Sequence, residues 1–326
     1  MKQAKIIGTG SYLPERVLSN ADLEKMVDTT DEWIVSRTGM RERRIAGSEE
    51  YTSDMGLAAA KKAIEKAKID ANDIDLILVA TLTPDYTFPS TACIIQAALG
   101  IEAAAMDLQA ACTGYIYCLS VAKAYVESGL YRNILIVAAE KLSSIVDYED
   151  RGTCVLFGDG ASACVVSSEG RGFVIREVVL GSDGGQTEIL KMPAGGSRNP
   201  TSKETVATKQ HFIKMEGREV FKHAVRRMES SSKECIEKAG LKEEDISWLV
   251  PHQANNRIID AIAKRFQVPN ERVFVTVEKY GNTSASSIGI ALDELLEEKS
   301  IASGENILLT AFGAGLTWGS TVLTHE

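Results

Sequence analysis

No two of the six cysteines are spaced Cys-x-x-Cys, and no Cys/His set has metal-ligand spacing, so a metal centre has no visible ligands. Histidine is scarce, at four residues. No apolar run approaches the roughly 20 residues needed to span a bilayer. The start, Met1-Lys2-Gln3-Ala4-Lys5-Ile6-Ile7-Gly8, runs straight into a strand-like segment with no signal-peptide core, so a cytoplasmic protein is expected. Basic residues are outnumbered: 36 Lys and Arg against 45 Asp and Glu leave a net charge of −9. That balance argues against a general affinity for nucleic acid or anionic membrane.

The chain has 326 residues, 44% apolar and 25% charged, enough for one large domain or two ordinary ones around a sizeable core. In a reducing compartment most cysteines are buried small hydrophobes. Cys93, Cys118, Cys154, Cys164 and Cys235 fit that description in apolar or helical runs. Cys112 differs, in Ala110-Ala111-Cys112-Thr113-Gly114. Met106-Asp107-Leu108 before it reads as a strand, and Gly114 to Ser128 after it as an apolar helix. A thiol over a helix's first turn meets unpaired N–H groups and partial positive charge. The dipole is worth about 0.3–1 kcal/mol, up to ~2 kcal/mol when partly buried. At ~1.36 kcal/mol per unit this lowers the thiol pKa by roughly one unit. Cys112 is therefore expected to be primed but not ionised.

Two stretches of the chain follow one plan. Residues 63–79 read as a helix end, a turn and a buried strand, and residues 235–251 repeat it. Ile64, Glu65, Lys66, Ala67, Asp73 and Ile74 recur as Ile236, Glu237, Lys238, Ala239, Asp245 and Ile246, each 172 residues further on. Asn133–Ala138 is echoed by Asn306–Ala311, and Phe157-Gly-Asp-Gly160 by Phe312-Gly-Ala-Gly315. Three echoes in the same order argue for duplication, with halves at 1–175 and 176–326. Each half alternates strands and helices, and its strands are almost wholly apolar, the pattern of mostly parallel sheets covered on both faces. The helix after Cys112 and the one from Ser284 to Leu296 hold matching places and are predicted to lie between two sheets. Residues 183–210, rich in Gly, Ser, Thr and Pro, are the best linker or flap candidate.

Cys112 needs partners. His211 and His223 lie in polar surroundings and His325 in the tail, whereas His252 ends the apolar run Ile246–Val250, where α/β sites form. Asn282, in Gly281-Asn-Thr-Ser284, is opposite Cys112 by the repeat. Histidine can titrate and asparagine can only hydrogen-bond, so the pair suits polarising a carbonyl oxygen better than a two-step proton shuttle. Cys, His and Asn in that order also fit a papain-like protease. The neighbours Ala-Ala-Cys112-Thr-Gly and the duplicated α/β pattern argue against it.

With these residues the chain resembles the β-ketoacyl-acyl-carrier-protein synthase III family of the thiolase superfamily. Its motifs are Asp31–Gly39, the Cys112 junction, Asp150–Thr153, Phe157–Gly160, Met215–Phe221, Val250–Asn255, Gly281–Ser284 and Phe312–Gly315, where Ala314 replaces a usual third glycine. The resemblance implies an α/β, thiolase-like duplicated fold, five layers αβαβα with two mostly parallel mixed sheets around buried central helices. It implies an acyltransferase that initiates fatty-acid synthesis by decarboxylative condensation of an acyl-CoA primer with malonyl-acyl-carrier-protein. Cys112 would carry the acyl group, with His252 and Asn282 polarising the malonyl thioester. The N–H groups of Cys112 and Gly313 would form the oxyanion hole. Thr29, Trp33, Arg37, Arg151, Gly152, Phe221, Ala254 and Asn255 would bind CoA. Phe88 would close the acyl pocket across a homodimer interface. No cofactor or metal is implied, since the CoA thioester is a substrate. A secondary polyketide primer, or a non-catalytic scaffold binding acyl or carrier partners, are the alternatives.

Acyl carrier protein is acidic, so the net charge predicts repulsion. Local patterning offsets it: Arg218, Lys222 and Arg226 recur every four residues on the helix from Glu216 to Ala239. The resemblance places carrier-protein contacts at Lys222, Gln253, Ala254, Asn255, Asn256, Arg257, Lys264 and Arg265.

Overall fold

The computed structural model describes residues 2–326. Nine strands form one mixed sheet: β1 (Lys5–Tyr12), β2 (Leu76–Ala80), β3 (Ala104–Leu108), β4 (Asn133–Glu140), β5 (Gly160–Ser167), β6 (Phe173–Ser182), β7 (Ile246–Pro251), β8 (Asn306–Gly313) and β9 (Thr317–His325). The longer helices are α1 (Asp31–Thr38), α2 (Thr52–Ala67), α3 (Thr91–Leu99), α4 (Gly114–Ser128), α5 (Gly217–Lys238), α6 (Asn256–Arg265) and α7 (Ser286–Glu298). Among the described residues, no helix is long and apolar enough to cross a membrane.

Strand order is β7-β8-β9-β6-β1-β5-β4-β2-β3. In the first half β1 to β4 run one way and β5 against them; in the second, β9 runs against β6, β7 and β8. The two expected sheets are joined through a short seam, where Lys5 faces Val174 and Ile6 faces Phe173. The division at residues 175 and 176 falls inside β6. The second half is also shorter of strand: the counterpart of β3 is a single bridge, Val273 to Leu249.

Strand periodicity builds the layers. Leu76, Leu78 and Ala80 enter a central core with Ile134, Ile136, Ile307 and Leu309, together with α4 and α7. Their neighbours Ile77, Val79, Leu135 and Val137 point the other way, against α2 and α3. Leu308, Phe312 and Val322 pack on α5 and α6. The order is helix, sheet, central helices, sheet, helix. Burying each such aliphatic side chain contributes about 1.5–3 kcal/mol, so strands apolar on both faces have no stable place except between layers. The central layer is tight: a Cβ on Gly114 would lie 2.8 Å from Ala80 Cβ and 3.3 Å from Ala285 Cβ.

The repeat extends to single hydrogen bonds. Short 3₁₀ turns occur at Ala71–Asp73 and Glu243–Asp245. Asn133 Nδ2 donates to Asp73 O at 2.9 Å, and Asn306 Nδ2 to Asp245 O at 3.0 Å. Each asparagine's Oδ1 accepts a hydroxyl at 2.7 Å, from Ser167 and Thr324 respectively.

Candidate active site

Cys112, His252 and Asn282 come together on the wall of one cavity of about 1150 Å³, between the central helices and α5. All three are buried, at 8%, 2% and 7% exposure. The elements that deliver them are the turn after β3, the end of β7 and the turn before α7.

Cys112 lies in a 3₁₀ turn, Ala111–Thr113, one step ahead of the α4 start. Ala111 holds φ +46° there, a left-handed conformation that costs a non-glycine residue about 1–3 kcal/mol. A hydroxyl clamp maintains it. Thr113 Oγ1 donates to Ala110 O at 2.5 Å, and Thr317 Oγ1 on β9 reaches both Thr113 Oγ1 at 2.8 Å and Ala110 O at 3.1 Å. The expected lowering of the thiol pKa does not survive in the fold. Burial pushes the Cys112 thiol up to about 12, which outweighs the roughly one unit available from a helix dipole. At neutral pH the resting thiol is protonated.

His252 is held neutral: burial lowers it to about 3. Its Nδ1 lies 2.7 Å from Ser287 Oγ, which accepts the Gln253 N–H at 3.3 Å. With the Ser287 hydroxyl donating to Nδ1, the ring proton sits on Nε2. Asn282 is fixed through its backbone to Leu156 O at 2.8 Å and from Gly158 N at 3.1 Å. Its Oδ1 accepts the Ser284 N–H at 2.8 Å, which leaves Nδ2 as donor. The two side chains therefore offer N–H groups from neutral partners, the arrangement that stabilises an oxyanion without moving a proton. Gly313 closes the site: a Cβ there would stand 2.8 Å from Cys112 N and 3.3 Å from Cys112 Cβ. Any side chain at 313 would fill the space between the two backbones.

Outward, Arg37, Phe221, Ala254 and Asn255 line the cavity. Trp33 lies beyond them, its ring centroid 5.8 Å from the Arg37 guanidinium and 4.9 Å from that of Arg151, so a planar aromatic and two cations share one surface. Thr29 Oγ1 is buried without a partner, while the Gly152 N–H is already taken by Asp150 Oδ1 at 2.9 Å. Residues 190–196 of the flap candidate also line the cavity, through Leu190, Lys191, Met192, Ala194, Gly195 and Gly196. Phe88 does not reach it; the side chain is 84% exposed.

The basic residues divide. Arg218, Lys222 and Arg257 all line the cavity, with Lys222 Nζ paired to Glu219 at 2.7 Å and Arg257 stacked 5.4 Å from the Phe221 ring. Lys264 is exposed at the far end of α6, and Arg265 is tied to Glu229 at 3.3 Å. Gln253 is a correction. At 1% exposure, its amide donates to Pro251 O and Phe274 O and accepts from Thr276 N and Val277 N. That amide staples the loop before α7 to β7 and presents nothing to a carrier protein. Asn256 is half-buried against Gly39, and Asn255 caps α6 through Ile258 N at 3.0 Å.

Sequence reasoning missed Ser287, Ser284 and Glu140. The signals were there: hydroxyls crowded at the start of an apolar helix need buried partners, and Glu140 is a lone carboxylate ending an apolar strand at a sheet's carboxyl edge.

Residues 106–184 match the family described as 3-oxoacyl-[acyl-carrier-protein (ACP)] synthase III, and residues 236–325 match its C-terminal part. The β-ketoacyl-[acyl-carrier-protein] synthase III of Chlamydia muridarum is 63% identical over 98% of this chain and 99% of its own. The solved 3-oxoacyl-[acyl-carrier-protein] synthase III of Aquifex aeolicus is 49% identical, with a TM-score of 0.91 over 99% of this chain and 100% of that one. The priming β-ketosynthase of the R1128 polyketide biosynthetic pathway is 37% identical, with a TM-score of 0.90 over 100% of this chain and 97% of that one. A buried thiol facing two neutral N–H donors, matched at such identity from end to end, has one reading: the chain belongs to the 3-oxoacyl-[acyl-carrier-protein] synthase III family.

Proposed function

We propose that this condensing acyltransferase takes an acetyl group from acetyl-CoA onto Cys112 and joins it to malonyl-acyl-carrier-protein, the initiating step of fatty-acid biosynthesis. The observation that carries the reading is the pairing of one nucleophile with two fixed, uncharged donors, His252 and Asn282, on the same cavity wall. Cys112 sulfur bonds to the thioester carbon as the CoA C–S bond breaks, and CoA leaves as the free thiol. The malonyl thioester oxygen then accepts hydrogen bonds from His252 and Asn282. Loss of CO₂ leaves an enolate, whose carbon attacks the acyl-cysteine and releases the Cys112 thiolate, which takes one proton from solvent to restore the resting thiol. The products are a 3-oxoacyl-carrier-protein, CO₂ and CoA. The N–H groups of Cys112 and Gly313 hold the oxyanion in both acyl transfers. No cofactor enters this scheme.

Trp33, Arg37 and Arg151 suit the adenine and phosphate end of CoA, with Thr29 and Gly152 beside them, and Phe221, Ala254 and Asn255 suit the pantetheine arm. Exposed Phe88, beside Tyr86 at 63% exposure, supports a homodimer in which each chain caps its partner's acyl pocket. The cytoplasm is the expected site of action. The reading as a polyketide primer has support from the 37% identical relative, but the 63% identical one carries more weight. A panel of acyl-CoAs with malonyl-carrier-protein decides between them. Acetyl-CoA is expected to give the highest kcat/KM, and a preference for bulky primers would move the protein to the secondary pathway. Absence of any covalent acyl label on Cys112 would leave only a binding scaffold.

The cavity-lining Arg218, Lys222 and Arg257 suit the acidic carrier protein. Arg257→Glu is expected to raise KM for malonyl-carrier-protein about tenfold, as loss of about 1.4 kcal/mol would, and to spare acylation by acetyl-CoA. Equal loss in both half-reactions would count against the docking surface.

A further inference from the structure

The Cys112 thiol must lose a proton as it attacks, and neither partner described above is fit to take it. Asn282 does not titrate, and His252, lowered by burial to about 3, is a weak base. A carboxylate lies buried nearby. Glu140, at 0% exposure, ends β4. Its Oε2 accepts from Thr81 Oγ1 at 3.2 Å, Leu82 N at 3.1 Å, Thr83 N at 3.2 Å and Thr83 Oγ1 at 2.6 Å. Its Oε1 is buried without a partner, and so is Ser284 Oγ. Two orphaned polar atoms of complementary chemistry, one donor and one acceptor, call for an explanation. Ser284 lines the cavity with Cys112. Its Oγ makes no hydrogen bond at rest, while the hydroxyl acts to lower the thiol and the Glu140 carboxyl alike. The backbone at Ser284 is held at φ +51°, pinned by the Asn282 Oδ1 contact, another strained non-glycine residue at the site.

We propose that Glu140 is the proton acceptor for Cys112, acting through the Ser284 hydroxyl as a relay. The inference rests on the acyl-cysteine reading above. As the Cys112 sulfur forms its bond to the thioester carbon, the thiol proton passes to Ser284 Oγ and the Ser284 hydroxyl proton to Glu140 Oε1. The departing CoA thiolate takes a proton back along the same path and leaves as the thiol, so Glu140 ends as it began.

The surroundings suit the task. Burial raises the Glu140 carboxyl to about 7, near the pH at which a general base works best. Facing it are the uncharged donors of Thr81, Leu82, Thr83 and Ser284, with Cys112 as the titratable group coupled to its charge. The neighbouring Lys141 points away, its Nζ on Gly47 O at 2.8 Å and Glu50 O at 2.7 Å.

The test is the rate of Cys112 acylation by acetyl-CoA, followed against pH in the 326-residue chain. The wild-type rate is expected to rise through an inflection near 7, the value of the Glu140 carboxyl. In Glu140→Gln the inflection disappears and the rate at neutral pH falls about 100-fold, with the loss confined to this half-reaction. A Glu140 that acted only through its charge would give the opposite result, because removing a negative charge beside the thiol eases its ionisation. Glu140→Gln also disturbs the Thr81–Thr83 loop, so Ser284→Ala, which leaves every Oε2 bond in place, provides the second arm and is expected to lose the same inflection. Variants that acylate at the wild-type rate and with the wild-type pH profile overturn the relay. A wild-type protein that takes no label overturns the acyl-cysteine reading, and the relay with it.

Discussion

Cys112→Ala is expected to abolish acyl transfer, with the overall rate falling by about 10⁴-fold or more, the scale seen when a nucleophile is removed from a preformed site. Mass spectrometry after incubation with acetyl-CoA should find the acetyl increment on the wild-type chain and none on the variant. Cys93 is exposed and the other four cysteines are buried, so label persisting in the variant would point to Cys93 and remove Cys112 from its role. Stability should change little, because the deleted sulfur faces a cavity. Decarboxylation of malonyl-carrier-protein should persist, since the donors that stabilise its enolate are on other elements.

The complementary loss comes from His252→Ala combined with Asn282→Ala. Each donor is worth about 10²–10³-fold in an oxyanion site, so the pair should reduce decarboxylation beyond ready detection while Cys112 still takes an acetyl group. An Asn282→Asp variant separates charge from shape: an anion facing the developing enolate should be at least as harmful as alanine. Wild-type decarboxylation should be flat across neutral pH, because His252 is already neutral and protonates only toward pH 3. The sign follows from burial. The folded pKa is depressed below 6.5, so between those values the unfolded chain binds a proton that the native state refuses, and stability declines as pH falls through that window. A decarboxylation rate that instead tracks an ionisation near 6.5 would show His252 exchanging protons with solvent.

Much of this was legible in the sequence. The helix from Gly114 to Ser128 has the bounds its composition predicts, and the echo between residues 63–79 and 235–251 reproduces even the 3₁₀ turns. Local pattern suffices there, because apolar periodicity and turn residues act over short spans. What was not legible depends on distance. The seam between β1 and β6 is two residue pairs, too short to leave a periodic trace. The sign of the Cys112 shift was misjudged, since a local motif reports a helix terminus but not the depth of burial around it. Gln253 looked available because it neighbours cavity residues, yet its amide serves a loop more than twenty residues away. Glu140 and Ser284 approach one another only in the folded chain.

The twin hydrogen bonds of Asn133 and Asn306 mark a division of labour between like frames. Condensation needs unlike partners: one to hold an electrophile, the other to steady a carbanion. This chain builds a turn into a central helix twice, before α4 and before α7, and sets a thiol at the first and an amide at the second.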